Sequence, residues 1–509
     1  MVYIDKDIGG KIMKYGVRPG SDNEMRGLMA TGSMKKVSES KSDQAVQFLQ
    51  NLQNALSPSS PSEISIKRKV KGGISSEKFT STVDMICEQF KSGQLDSENT
   101  SELLRDCISL RNIYKSENQL SRKDELRHRA VRKQLIKIEL QLRMKLKTIL
   151  DGDLLDASLT EAISKVDLSG EDLSNMDLSG TDFTNANLQD ANLRGADLSG
   201  AKLRGAHLKW AHLFKANLQD ANLTDANLTD ADLREANLTN ANLTKAKLQE
   251  ANLTKADLQG AKLQEANLTA ANLSEVLLQN VNLSGMDLER VNLRYANLEG
   301  AKLRGANLQN TQLFEANLQE ADLTDAENLK NADLRGANLQ NVDLSNMDLT
   351  SMNFEGADLR GANLQNATLT DAWLKYANLT DADLREANLT NANLTNANLQ
   401  DANLTKADLQ GANLQESKLQ EADLREAKLQ TAWLGGANFE KVNFENTHLE
   451  NVNFARQNLK GAKLQGANLQ GAKLQGANLQ GANLQDANLS GADKKGVVLT
   501  DAILEGATF

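Results

Sequence analysis

The chain has 509 residues, of which 40% are hydrophobic and only 4% aromatic, with 33 glycines, 3 prolines and a formal net charge of −10. That charge is unevenly held: residues 1–150 carry 27 Lys and Arg against 18 Asp and Glu, a net of +9, and residues 151–509 carry −19. No apolar run reaches transmembrane length, Met1–Gly20 lacks the apolar core of a cleaved secretory signal, and two isolated cysteines, Cys87 and Cys107, exclude a disulfide framework and fit a reducing compartment.

Residues 1–77 are rich in Ser, Lys, Gly and Gln and read as a mostly flexible segment, with one short apolar patch at Ala45–Leu56. Composition fits either a dispensable tail or an export or docking signal. From Lys78 the pattern turns helical, over Phe79–Phe90, Ser101–Tyr114 and Ser121–Leu150, and Ser121 with Asp124 three residues on makes a capping box. In the last helix Val131, Leu135, Ile138, Leu142 and Ile149 form an apolar stripe, while Arg127, Arg129, Arg132, Lys133, Lys137, Arg143, Lys145 and Lys147 supply positive charge. Residues 78–150 are thus expected to be a basic helical region that caps the solenoid that follows. A partner surface and an anionic membrane surface are the alternatives.

Residues 151–509 are dominated by one unit: Ala, then Asn, Asp or Lys, then Leu, every fifth residue, as in Ala186-Asn187-Leu188 and Ala191-Asn192-Leu193. A period of five scatters the Leu around an α-helix and flips it between the faces of a strand. The chain therefore turns once per repeat. With the Leu as position i, residues i−2 and i point inward and i−1 points out. Each repeat becomes one side of a polygonal coil whose backbone groups pair with the coils above and below. Disorder would need few apolar residues, and the inward pair is apolar in nearly every unit.

This A-[D/N]-L-x-x pattern resembles the pentapeptide-repeat family. The resemblance implies a mainly β fold, a right-handed quadrilateral β-helix with four repeats per coil, preceded by the small α-helical region and the flexible N-terminus. Central residues run in register from Leu168 to Leu323, one extra residue enters at Ala326–Leu329, and a second phase runs from Leu329 to Phe509. The insertion reads as a bulge or small bend. Sixty-nine repeats give about 17 coils and a rod of roughly 80 Å at about 4.8 Å per coil. Asp232-Leu-Arg-Glu-Ala-Asn-Leu-Thr-Asn recurs at Asp383, an offset of 151 residues that points to duplication. Four inward runs carry residues larger than Ala: Val166, Glu171, Met176 and Thr181; Val276, Val281, Met286 and Val291; Val342, Met347 and Met352; and Val442, Thr447, Val452 and Gln457. They read as places where the rod swells to keep its packing.

No catalytic constellation is present: there is no P-loop, GxSxG or HExxH, and no cofactor or metal is expected. His207 and His212 are five apart and fall on neighbouring sides, and His128 and His448 stand alone. The many i−1 Asp residues read as a solvated face. One outward feature departs from the repeat. With four repeats per coil, Phe214, Tyr295, Phe314, Trp373, Tyr376 and Trp433 share one side, and Trp210 sits at the corner leading into it. Counting sides from the Leu168 repeat, the charges are −6, +1, −8 and −3, so the aromatic side is the second one and the least acidic.

An aligned, nearly neutral aromatic strip is expected to bind protein, which makes the chain a non-enzymatic interaction scaffold. A distinct N-terminal region followed by repeats is similar to secreted bacterial effectors of this family. The protein is accordingly expected in the cytoplasm, or in a host cell without a cleaved signal peptide. Two alternatives are a DNA mimic that binds DNA gyrase, as some family members do, and a peripheral membrane adaptor using the basic helix on anionic lipid. Direct nucleic-acid binding is not expected. Some family members pair through their C-terminal coils, which implies a homodimer here.

Overall fold

The computed structural model describes residues 4–6, 12–14, 107, 111, 129, 132–133, 135–144, 166–326, 329 and 331–509. They belong to two compact units, Met1–Ala157 and Ser158–Phe509, taken in turn.

In the first unit, β1 (Ile4–Lys6) and β2 (Ile12–Lys14) pair antiparallel, with Asp5 opposite Met13. The hairpin lies inside the stretch whose composition suggested flexibility, so that stretch carries at least this local element. Residues 135–144 are helical, within the expected Ser121–Leu150 helix. Leu135, Ile138 and Leu142 of the apolar stripe are buried. Arg143 is not on a solvated face: it is buried with Glu139, which it meets at 2.9 Å, and Arg111 reaches the same carboxylate at 3.0 Å. One buried carboxylate held between two guanidiniums is costly to break from either side. The expected Phe79–Phe90 helix, the Ser121 capping box and most of residues 1–77 lie outside the described residues.

The second unit is a stack of four-sided coils. Bridges join nearly all i−1 residues to the one twenty further on, always parallel, as Asp167 to Asn187 and Asn187 to His207. Twenty residues per coil is four repeats. Across the insertion the step becomes 21, Gln312 to Asp333 and Asn317 to Asn338, and then returns to 20. The extra residue is absorbed within one coil without changing which side follows which. Each side contributes a single bridge residue and not a run of strand, because the chain turns again before a second pair can form. The β character of the rod is a ladder of isolated parallel bridges.

Five backbone N–H groups per repeat explain the sequence pattern. In the Leu188 repeat, the i−1 N–H of Asn187 donates to Val166 O one coil back (2.8 Å), the Leu188 N–H donates to His207 O one coil ahead (2.8 Å), and the Asp190 N–H donates to Lys209 O (3.0 Å). The Ala191 N–H closes a turn onto Leu188 O at 3.1 Å. That leaves the i+1 N–H of Gln189, which no coil reaches; it donates to the side-chain Oδ1 of Asn187 at 3.2 Å. This Asx turn recurs wherever i−1 is Asn or Asp with a suitable rotamer. Those residues are therefore structural acceptors, half-buried in many repeats, and the reading of the i−1 Asp positions as a solvated face is corrected. Their amides also climb the stack: Asn237 Nδ2 donates to Asn217 Oδ1 at 3.1 Å, and Asn217 Nδ2 to Asp197 Oδ1 at 3.0 Å.

The turn places its last residue, i+2, in the left-handed region at every repeat from Gly170 to Gly506, with φ between 51 and 74°. A type II turn requires this. Gly, Asn and Asp, the residues that tolerate it, fill 45 of these 68 positions. Gly411 shows a second constraint: a Cβ there would come within 2.4 Å of Asn391 Oδ1 in the coil below.

Inward, Ala at i−2 and Leu at i are buried below the last coil, apart from the half-exposed Ala266 and Ala432. Phe439, Phe444 and Phe454 enlarge the centre near the C-terminal end, with centroids 5.6–5.8 Å apart. Buried hydroxyls at i−2 are satisfied by main-chain carbonyls, Thr311 by Leu288 O at 2.9 Å and Ser417 by Leu414 O at 2.6 Å. In the last coil the inward residues become half-exposed, and Lys494 escapes a buried charge by donating to Leu489 O at 3.1 Å and lying over the Phe509 ring.

The larger inward runs do not simply preserve the ladder. At Val281 and Met286 the bridges to the coil below are missing, and at Val291 the bond Asn292 N to Ala271 O stretches to 3.4 Å. The enlarged side chains there stay buried, as the expectation of kept packing has it, while the backbone ladder beneath them is interrupted.

Candidate protein-interaction face

Because the register carries through the insertion, the second side is continuous from the Leu173 repeat upward. It holds Phe214, Tyr295, Phe314, Trp373, Tyr376 and Trp433, with Trp210 on the corner leading in. These residues sit in three columns. Trp373 and Trp433 occupy i−1, where Asn or Asp would close the Asx turn; Phe214 and Phe314 occupy i+1; and Tyr295 and Tyr376, like Trp210, occupy the left-handed i+2 position with φ near 60°. Bulky side chains rarely adopt that conformation, and the turn imposes it. At both kinds of site a large ring replaces a residue that the turn would use better.

The seven are not equivalent. Tyr295, Trp373, Tyr376 and Trp433 expose 49, 54, 54 and 62% of their surface, and Trp210 43%. Phe214 and Phe314 are half-buried between guanidiniums of the coils below and above. Arg194 lies 4.9 Å and Arg234 5.6 Å from the Phe214 centroid, and Arg294 and Arg335 repeat those distances around Phe314. Stacking of this kind lays the planar guanidinium against the ring and covers it. The upper arginine of each sandwich is fixed further by an aspartate two residues earlier: Asp232 to Arg234 and Asp333 to Arg335, both 2.7 Å. The hydrogen bond from arginine holds both carboxyls below their ordinary value. Tyr295 then stands edge-on against Phe314, with centroids 5.6 Å apart.

Phe214 and Phe314 are thus buttresses, while the two tyrosines and three tryptophans are what a partner would meet. The sandwiches escaped sequence reading because their members are twenty residues apart. Once the coil length is known, Arg194, Phe214 and Arg234 align directly. Cations also cap exposed rings, Lys209 over Trp210 at 4.1 Å and Lys375 over Tyr376 at 4.7 Å. Along the i+2 column Lys215 meets Glu235 and Lys255 meets Glu275, each at 3.2 Å, which keeps the side close to neutral.

Duplication does not account for the alignment. Thirty repeats are seven and a half coils, so the 151-residue offset turns each copy to the opposite side: Asp232 lies on the second side and its copy Asp383 on the fourth. His207 and His212 fall on the first and second sides. Among the described residues no three His, Cys, Asp or Glu side chains group as metal ligands, and no helix is long and apolar enough to cross a membrane.

Comparison with known proteins agrees with the periodicity. No curated protein sequence matches the chain. Among solved structures it is similar to the pentapeptide repeat protein Rfr23 of the cyanobacterium Cyanothece 51142, at 33% identity over 20% of this chain and 83% of that one, with a TM-score of 0.20. It is also similar to HetL of Nostoc sp. strain PCC 7120, a pentapeptide repeat protein involved in heterocyst differentiation regulation, at 30% identity over 53% and 91% with a TM-score of 0.14. A third is QnrB1, a plasmid-mediated fluoroquinolone resistance protein, at 24% identity over 40% and 91% with a TM-score of 0.20. The family described as pentapeptide repeats (8 copies) matches residues 153–269 and 271–509 in overlapping or adjoining segments. With well over half of its length in that match and a twenty-residue coil built from A-[D/N]-L-x-x units, the chain belongs to the pentapeptide-repeat family.

Proposed function

We propose that this protein is a non-enzymatic interaction scaffold that binds a partner protein along the second side of its rod. The observation that carries the reading is the clustering of the exposed Tyr295, Trp373, Tyr376 and Trp433 on the one side without net negative charge. Tyr and Trp supply large, stiff contact area with a polar tip, and they dominate the energetics of protein interfaces. The acidic first and third sides frame this strip and repel other acidic surfaces. The basic region 78–150 then docks or localises the rod, on a partner or on anionic lipid, and residues 1–77 would carry any export signal.

The charge density argues against DNA mimicry as the main role. Duplex DNA carries one charge per about 1.7 Å, near 48 over a rod of this length, whereas the regular repeats sum to −16. No enzyme is proposed, since the interior of the solenoid is filled by its own Leu and Ala side chains.

Affinity capture with the intact protein, with Trp373→Ala/Trp433→Ala and with residues 1–150 tests the proposal. A partner that binds the intact chain and is lost from the double variant supports it. If every partner survives the double substitution, the reading fails. A DNA gyrase supercoiling assay tests the rival: inhibition or protection at micromolar protein would favour mimicry.

A further inference from the structure

We infer that the rod is stiff over most of its length but is divided by three compliant seams, where coils are held together on only part of their circumference. Among the described residues the ladder between coils is unbroken from Leu168 to Lys255, from Leu339 to Leu424 and from Phe439 to Leu489. It fails in three places. In the first, the amides of Gly260, Leu263, Glu265, Leu268 and Ala270 have no backbone partner in the coil above. In the second this holds for Leu323, Asp325, Leu329, Asn331 and Leu334, and in the third for Glu426, Leu429, Thr431, Leu434 and Gly436.

Each seam lies directly beneath an enlarged inward run. Val281 and Met286 sit over Ala261 and Ala266; Val342, Met347 and Met352 form the coil above the second seam; and Thr447, Val452 and Gln457 sit over Ala427, Ala432 and Ala437. A side chain larger than Ala in so narrow a core pushes its own backbone outward, and the i−1 amide then overshoots the carbonyl below it. The register fades in and out as this predicts: the bond survives at Val276 (Leu277 N to Ala256 O, 3.0 Å), disappears at Val281 and Met286, and returns stretched at Val291. At each seam one inward residue becomes half-exposed: Ala266, Met347 and Ala432 respectively. Thr311, an isolated substitution in a coil of otherwise ordinary size, keeps its ladder, with Gln312 N to Val291 O at 3.1 Å, whereas Thr447, which makes the same downward hydroxyl bond within an enlarged run, does not.

The second seam contains the inserted residue. It opens into a cavity of about 700 Å³ lined by Asp325, Leu329, Asp343, Met347, Asp348 and Met352 among others. Its carboxylates are already engaged, Asp325 by Arg304 at 3.0 Å, Asp343 by the Ser345 amide at 3.0 Å and Asp348 by the Thr350 amide at 3.1 Å. The cavity is therefore a parting of coils whose carboxylates are engaged from within the rod.

In a solenoid, stability is a sum of neighbour interfaces, so the weakest interfaces open first. The direction is set by the surviving bonds. At the first seam Leu273 N to Asn292 O and Leu278 N to Asn297 O, both 2.8 Å, keep the second and third sides closed, and the fourth and first sides part. The second seam parts on the same fourth and first sides; the second side loses the Leu334 bond but keeps Gly336 N to Glu355 O at 2.9 Å and the Asp333–Asn353 bridge, and Leu318 N to Asn338 O at 2.7 Å holds the third. Both hinges curve the rod toward its second and third sides. The third seam opens on the first and second sides, and Trp433 stands on its lower lip.

Hydrogen exchange of the intact protein, resolved by mass spectrometry, tests this. Peptides covering 258–272, 322–336 and 424–438 should exchange at least tenfold faster than 378–420. Val281→Ala/Met286→Ala, which restores the consensus inward residue, should slow exchange over 258–272 at least tenfold and leave 424–438 unchanged. Uniform protection along the rod, or no change in the double variant, would overturn the inference. Should the variant fold poorly, the exchange map of the native chain decides alone.

Discussion

Asn237 donates its side-chain amide to Asn217 Oδ1 at 3.1 Å, and the same oxygen accepts the main-chain N–H of Gln219 at 3.2 Å. One atom thereby closes a turn within its repeat and ties two coils together. Asn217→Ala should lower stability by about 1–2 kcal/mol, because it strands both donors in a half-buried groove. Gln400→Ala, at an outward i+1 site, should change it by less than about 0.5 kcal/mol. Urea unfolding followed by circular dichroism compares the two, and equal midpoints would mean the i−1 oxygen does nothing for the fold.

Gly411 and Asn391 are coupled for a steric reason. Gly411→Ala adds a Cβ in a left-handed turn and within 2.4 Å of the Asn391 carboxamide, and should destabilise by about 1–2 kcal/mol. Asn391→Gly in the same chain should recover the part due to the collision, a coupling of about 1 kcal/mol in a double-mutant cycle. Additive effects would show that backbone conformation alone sets the cost.

Acid should weaken the rod through its Asp-Leu-Arg units. The hydrogen bond from Arg234, Arg335 or Arg385 holds Asp232, Asp333 and Asp383 below the ordinary carboxylate value. A carboxyl with a folded value below its unfolded value of about 3.9 stabilises the fold above that pH, and the contribution is lost as pH falls through the folded value. The melting temperature of Arg234→Gln/Arg335→Gln/Arg385→Gln should lie below the parent at about pH 6 and converge with it near pH 2. A gap that persists unchanged into acid would contradict this.

The last coil presents Val498, Ile503 and Phe509 at 44, 50 and 56% exposure. Two copies covering each other there would remove an apolar surface from water. Light scattering should give twice the 55.5 kDa chain mass, and Ile503→Ser/Phe509→Ser should return it to one. A monomeric parent would refute the pairing.

Much of the rod could be read from its period. Five residues per turn, Ala and Leu inward, and a one-residue insertion near Ala326 all follow from side-chain size and backbone geometry. The right hand of the coil comes from family membership and not from spacing. Two things stayed hidden because they depend on neighbours twenty residues away. The i−1 Asn and Asp looked like a solvated surface, since the unpaired i+1 amide that they serve has no mark in sequence. Phe214 looked like its exposed neighbours, since only the coil length reveals Arg194 and Arg234 on either side of it. The enlarged run at Met286 was visible, but its effect on the coil below was not.

All three tryptophans of the chain, Trp210, Trp373 and Trp433, lie on the second side or at its corner, and all are exposed. Intrinsic tryptophan fluorescence therefore reports on this one face of the rod. Titration with a partner recovered by affinity capture, itself made free of tryptophan, should shift the emission to shorter wavelength and protect it from acrylamide quenching, with saturation at the stoichiometry of binding. A partner that binds stoichiometrically while emission and quenching stay unchanged would contradict the assignment of the aromatic side as the binding face.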